Sequence, residues 1–306
     1  MVMRCPVLIF FFLVAILAGC ANNRPTPPPL TSQEINLQEH QAEAADALSQ
    51  AMQLMHDGQF LDANAALDSL NRALELDPSL AGARYYRSSL LFEIHQYDEA
   101  LADANILLEA KPNHTKGHYT RGFILFQLGD LSNAARDFTQ VISTDPTIAE
   151  AYVRRGFCYD GLGRTDEAID DYTHALALDP AHLDANYRRG MAYMTLGQYE
   201  PALRDLSQAF ILDSENSQII MARAQAAIKL GQFDTAATAL KRAVALDPRR
   251  STLQALLAEA LAGSNDIPGA IKSIHRAISL ADATGDKAMA RLYRQQLESY
   301  LGKPTP

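Results

Sequence analysis

Proline recurs every thirty-four residues along this chain, at Pro78, Pro112, Pro146 and Pro180 and again at Pro248, with Ser214 in the intervening slot. Two further registers keep step with it. Gly129, Gly163, Gly197 and Gly231 form one, and Ala100, Ala134, Ala168, Ala202, Ala236 and Ala270 form the other. A period of that length belongs to a unit too small to bury its own apolar face, which it must bury against its neighbours instead. The predicted body is therefore an elongated all-helical solenoid that leaves no room for a separate catalytic domain. Such a stack offers a long surface to other molecules.

Units cut at Thr115, Ala149, Leu183 and Ser217 each read as helix, turn, helix, turn. The unit from Ala149 places Tyr152, Gly156, Tyr159, Ala168, Tyr172 and Pro180 at its positions 4, 8, 11, 20, 24 and 32, and that pattern resembles the tetratricopeptide repeat. Glycine and alanine are required where the two helices of a unit cross closely, and proline stops the second helix. The next unit keeps Gly190, Tyr193 and Ala202 but has Leu206 and Ser214 at the last two positions. A unit from Ala81 has Ser88 and His95 where glycine is expected, and one from Ser251 keeps Ala258, Leu261, Ala270 and Ala277 without a final proline. The first unit, around Leu54, Gly58, Phe60, Ala63 and Pro78, fits if three extra residues enter its second helix. Seven units result, followed by a capping helix over Asp286 to Leu301 with apolar residues Met289, Leu292, Leu297 and Tyr300. The resemblance implies an all-α, right-handed α-solenoid across residues 32–306.

The N-terminus reads differently. One charge at Arg4, an apolar run from Val7 to Ala18 and small residues at its end describe a secretory signal over residues 1–19, too short for a comfortable membrane span. Leu17, Ala18, Gly19 and Cys20 resemble the lipobox of bacterial lipoproteins, which implies cleavage before Cys20 and acylation of that cysteine. The residues alone also allow a plain cleaved signal, or an uncleaved anchor. Ala21 and Asn22 follow, without the aspartate that retains such lipoproteins in the inner membrane, so the resemblance implies the outer membrane, facing the periplasm. Residues 20–31, with Pro25, Pro27, Pro28 and Pro29, predict an extended tether.

Position 7 is arginine in five successive units, at Arg87, Arg121, Arg155, Arg189 and Arg223. Sixteen residues after each of the first four stands an acid: Asp103, Asp137, Asp171 and Asp205. That spacing faces the two across an antiparallel helix pair and predicts ion pairs within each unit, not a ligand site. Arg223 has Ala239 at the corresponding place, and is the one ladder arginine expected to be free for something else.

Positions 2, 5, 9 and 12 of each first helix share a face by 3.6-residue spacing and, by the resemblance, line the concave side. They supply Tyr85 and Phe92, then Tyr119, Phe123 and Phe126, then Phe157, then Tyr187, Met191 and Met194, then Met221. Position 6 adds Tyr86, Arg154 and Arg188 among the rings, with Glu93, Glu150, Asp160 and Asp184 alongside. Aromatics, methionine and arginine are the side chains enriched where proteins bind proteins. The expected ligand is a protein or peptide segment. Phe123 and Phe157 hold the positions where some co-chaperones with these repeats carry the asparagines that grip a terminal carboxylate, which argues against that clamp.

The formal charge of −9 argues against nucleic acid as the main partner. No phosphate loop, nucleophile elbow or ligand cluster appears, so no enzyme, cofactor or metal is expected. His114 and His118 share a helical spacing but straddle a turn, and Cys158 reads as a small packed residue. Address and repeats together resemble lipoproteins of the NlpI type and the pilotin lipoproteins. That implies an adaptor in the bacterial envelope, held to the membrane by its lipid, or a structural subunit of an envelope machine held by its convex face or ends.

Overall fold

A computed structural model describes residues 31–56 and 59–302. The signal segment, Cys20, the tether up to residue 30, and Gly58 lie outside the described residues.

The described chain is a run of antiparallel helix pairs. The first pair is α1 (Ser32–Gln53) and α2 (Ala63–Leu76), separated by strands β1 (Met55–His56) and β2 (Gln59–Phe60). Then come α3 (Ala81–Glu93) with α4 (Tyr97–Ala110), α5 (Thr115–Gln127) with α6 (Leu131–Thr144), and α7 (Ala149–Gly161) with α8 (Thr165–Leu178). The last three pairs are α9 (Leu183–Thr195) with α10 (Tyr199–Leu212), α11 (Ser217–Lys229) with α12 (Phe233–Leu246), and α13 (Ser251–Gly263) with α14 (Ile267–Ala283). A final helix, α15 (Lys287–Tyr300), closes the stack.

The punctuation of the sequence explains the boundaries. Gly129, Gly163, Gly197 and Gly231 end the first helices with φ between 72 and 82°, the left-handed region that costs other residues a clash at Cβ. His95 and Asn265 fill the same slot in their units at φ 63 and 65°. Second helices stop on an extended residue ahead of the recurrent proline, as at Asp145 and Asp179, where the proline ring disfavours helical backbone. Side chains of Asp62, Asp130, Asn216, Asp266 and Asp286 accept backbone N–H groups at the starts of their helices.

The helices within a unit meet at the small residues. Ala100, Ala134, Ala168, Ala202, Ala236 and Ala270 are all buried. A Cβ placed on Gly156 would stand 2.6 Å from the Tyr172 ring, and one on Gly190 2.8 Å from Leu206. In the unit that has Ser88 instead of glycine, the hydroxyl donates to the Ala100 carbonyl at 2.9 Å and so is satisfied in the crossing.

Two expectations are corrected. The extra residues of the first unit are not in its second helix, since α2 has the same fourteen residues as α4, α6 and α8. They lie between α1 and α2 as a short hairpin that pairs Met55 with Phe60, and the buried crossing alanine is Ala66, one period before Ala100, not Ala63. In α15 Met289, Leu297 and Tyr300 pack as expected, around the buried Ala290 and Tyr293 that the spacing did not single out, while Leu292 is 53% exposed and lines a hollow with Met221.

Successive first helices touch one another, as α3 with α5, α7 with α9 and α11 with α13, whereas among the described residues no comparable contact joins two second helices. The first helices therefore line the inner, concave side, and the second helices splay apart on the outer side.

Candidate functional site

The predicted ladder is present in four units. Arg155 donates to Asp171 through Nε at 2.8 Å and Nη2 at 2.7 Å, and Arg87, Arg121 and Arg189 hold Asp103, Asp137 and Asp205 with the same two-pronged geometry. These bonds push the Arg121, Arg155 and Arg189 guanidinium groups above their ordinary range. The remaining Nη1 reaches back to a polar residue on the preceding second helix: Asn71, Asn105, Thr139 or Thr173. Each arginine thus fastens its own unit and joins it to the one before. His118 and His114 are likewise spent on structure. His118 lies within 2.7 Å of both Asp137 and the Pro112 carbonyl, and His114 caps α5 by accepting from the Gly117 N–H. Cys158 is fully buried, and burial pushes its thiol up to about 12.

One residue before the ladder arginines of three units, Tyr86, Arg154 and Arg188 are turned toward the concavity. There the rings of neighbouring units form a connected row. Phe92 lies 6.2 Å from Phe123, and Tyr119 meets Phe123 edge-on at 4.9 Å. The Arg154 guanidinium sits 5.1 Å from the Phe123 centroid and 5.3 Å from that of Phe157, and Arg188 sits 4.3 Å from Phe157. Glu150 pairs with Arg154 and also meets His182 at 2.9 Å, so part of the cationic charge is balanced, yet the buried Arg154 Nε has no partner. Asp160 accepts from the Tyr172 hydroxyl at 2.6 Å, and burial raises its carboxyl above the usual range.

The groove residues read from the sequence divide by unit. Tyr85, Tyr86, Phe92, Tyr119 and Phe123 converge on one cavity of about 430 Å³. Its far wall was not legible from the repeat, because it is made by Met55 and Phe60 of the hairpin, with Ser89, Lys116 and Thr120 at the sides. Glu93 lines it too; burial raises its carboxyl, against a bond from the Phe60 N–H. Phe126 packs on the core of its own unit and does not reach this cavity. Tyr187, Met191 and Met194 pack around Leu206 and Ala222. Met221 lines a second hollow of about 320 Å³ with Thr252, Glu259, Met289 and Tyr293, which the sequence reading missed because α15 stands outside the repeat register.

Profiles of the tetratricopeptide repeat match residues 58–115, 115–148, 149–182, 183–216 and 221–287. With the helix pairs and the crossing geometry, the chain belongs to the tetratricopeptide repeat family, a class of protein-interaction scaffold. No curated protein matches the sequence at a significant level. Among solved structures, the chain is similar to that of pilF from Pseudomonas aeruginosa, at 16% identity and a TM-score of 0.61, over 72% of this chain and 99% of that one. A tetratricopeptide repeat protein from Parabacteroides merdae is 16% identical with a TM-score of 0.56, covering 85% of this chain and 99% of its own. YrrB, described as having an unusual peptide-binding site, is 24% identical with a TM-score of 0.54, covering 63% of this chain and 98% of its own. At these identities the likeness is one of fold.

Proposed function

We propose that the protein is a non-enzymatic scaffold that holds a protein or peptide segment along its concave groove. The observation that carries this reading is the continuous row Phe92, Tyr119, Phe123 and Phe157, partly exposed and interleaved with Arg154 and Arg188. These rings pack on the cores of their units yet, unlike the fully buried Phe138 and Tyr172, keep part of their surface open. An extended segment can lay apolar side chains on the row and place its polar groups against the two guanidiniums.

The lipobox-like residues ending in Cys20 support a second part of the proposal: the scaffold is lipid-anchored at the outer membrane, faces the periplasm and serves envelope biogenesis. Acyl chains at a single N-terminal cysteine attach such a body by roughly 0.8 kcal/mol per buried methylene, and the proline-rich residues after it set the spacing from the bilayer. The rival reading is a structural subunit of an envelope assembly held by its convex face or ends.

The test compares envelope proteins captured by the wild-type chain and by a Phe123→Glu, Phe157→Glu variant, after circular dichroism shows equal helicity. The groove reading expects specific partners to vanish with the variant; an unchanged set of partners sinks it and favours the structural subunit. Metabolic labelling with a fatty-acid probe should mark the wild type and not Cys20→Ser, and equal labelling refutes the anchor.

A further inference from the structure

The ladder breaks at its fifth arginine, and the break is on the outer face, away from the groove. Ala239 stands on α12 where an aspartate would receive Arg223. Deprived of it, Arg223 turns its Nε to Ser207 on the preceding second helix, at 3.1 Å, and lies 4.7 Å from the ring of Phe210, one turn further along α10. Its Nη1 and Nη2 have no acceptor among the described residues. Arg242, one turn beyond Ala239, leans over the same ring at 6.0 Å, with Nη2 3.5 Å from the Ser214 hydroxyl. Neither arginine forms an ion pair among the described residues. The nearby acids are engaged elsewhere: Asp205 is held by Arg189, and Asp213 accepts from the Glu215 N–H and from Asn216 in its own turn.

Arg223 and Arg242 thus bring two guanidiniums without an ion pair to one ring, in a chain whose formal charge is −9. The other four copies of this seat show what it fits, since each closes around a carboxylate at 2.6 to 2.9 Å. With alanine in place of aspartate, Arg223 has turned onto Ser207 and Phe210 and keeps Nη1 and Nη2 free for a carboxylate from outside the chain. The seat is reachable, because Arg242 is exposed and Arg223, Ser207 and Phe210 each keep part of their surface open.

We infer that the furrow between α10 and α12 is a second docking site, in which an aspartate or glutamate from an acidic segment of a partner protein takes the place of the missing ladder acid. Arg223 supplies the forked donors within the furrow, and Arg242 closes over the carboxylate from the rim. This site is independent of the concave groove.

The test is fluorescence anisotropy of a labelled hexaglutamate peptide titrated with the full chain at low ionic strength. The decisive variant is Ala239→Asp, which restores the internal acid and should fold at least as well as the wild type. It is expected to weaken peptide binding about tenfold, and Arg242→Gln to weaken it several-fold. The Phe123→Glu, Phe157→Glu variant is expected to bind hexaglutamate like the wild type, so failure here and failure of the groove reading are separable. Equal binding by Ala239→Asp and the wild type overturns the inference, as does no binding by the wild type. Preferential binding of inorganic phosphate, or of phosphatidylglycerol vesicles in a manner sensitive to Ala239→Asp, also overturns it, since the ligand would then not be a protein carboxylate.

Discussion

Replacing Asp171 by alanine tests the ladder where its geometry is best defined. The Asp171 side chain is 5% exposed and that of Arg155 18% exposed, so the pair lies largely out of water. Removing the acid deletes both charge-assisted bonds and leaves Arg155 with the Thr139 hydroxyl at 3.1 Å and the nearby rings of Tyr152 and Tyr159. Breaking a buried pair from one side costs about 3–5 kcal/mol. Arg155 retains some exposure and can swing onto a neighbouring ring as Arg223 does, which puts the expected loss near the lower figure, about 3 kcal/mol. Replacing both partners by apolar residues, as in Arg155→Met with Asp171→Leu, removes the stranded charge and should cost far less. In a stack of near-neighbour contacts the damage stays local. Native-state hydrogen exchange should therefore show faster opening in α6, α7 and α8, with little change in α12 to α14, alongside a lower urea midpoint. A loss below about 1 kcal/mol, or a double variant no better than the single one, would refute the view that these arginines are structural clamps.

Three further outcomes follow from single sites. Gly156→Ala brings a Cβ to 2.6 Å from the fully buried Tyr172, so it should cost about 1–3 kcal/mol by overpacking; a neutral result in thermal melts would deny the close crossing. With its thiol raised to about 12 and no exposed surface, Cys158 should stay unreactive toward a thiol reagent at about pH 8 until urea opens the stack, and rapid labelling of the native protein would contradict its burial. The Asp160 carboxyl is raised in the folded state, so its ionisation opposes folding: that penalty is absent below the unfolded value and complete once pH exceeds the folded one. Asp160→Asn should therefore be the more stable protein at neutral pH and lose its advantage as pH falls through the raised value, and a parallel urea-midpoint difference across pH would rule this out.

How far the sequence could be read depended on whether a feature obeyed the period. Gly156 against Tyr172 and Arg155 against Asp171 both follow from fixed spacings across an antiparallel pair, so the crossings and the ladder were legible residue by residue. The first unit misled because Phe60 and Ala63 imitate the repeat's aromatic and alanine, which shifted its register by three; the second helix had kept the thirty-four-residue interval through Ala66 all along. The hairpin wall of the aromatic cavity and the Tyr293 side of the C-terminal hollow were invisible for a related reason. Both come from segments outside the repeat, and only folding brings them to it. The fate of Arg223 was half legible: the missing acid could be read, whereas its move onto Phe210 depends on a contact between units that no spacing within one unit encodes.

Adjacent arginines on the same helix show why the ladder and the groove must be treated as separate devices. Arg154 and Arg155 follow one another on α7, as Arg188 and Arg189 do on α9, and one residue of α-helix turns a side chain through about 100°. The second of each pair is turned toward the second helices and locked by an aspartate; the first is turned into the concavity and rests on Phe157. Stability and recognition therefore draw on the same residue type without sharing a single contact. Changes at Arg154 and Arg188 should alter binding and leave unfolding nearly unchanged, while changes at Arg155 and Arg189 should do the reverse. If Arg188→Ala destabilised the stack as much as Arg189→Ala, the groove arginine would be one more clamp and the concave surface would lose its strongest claim to be a site.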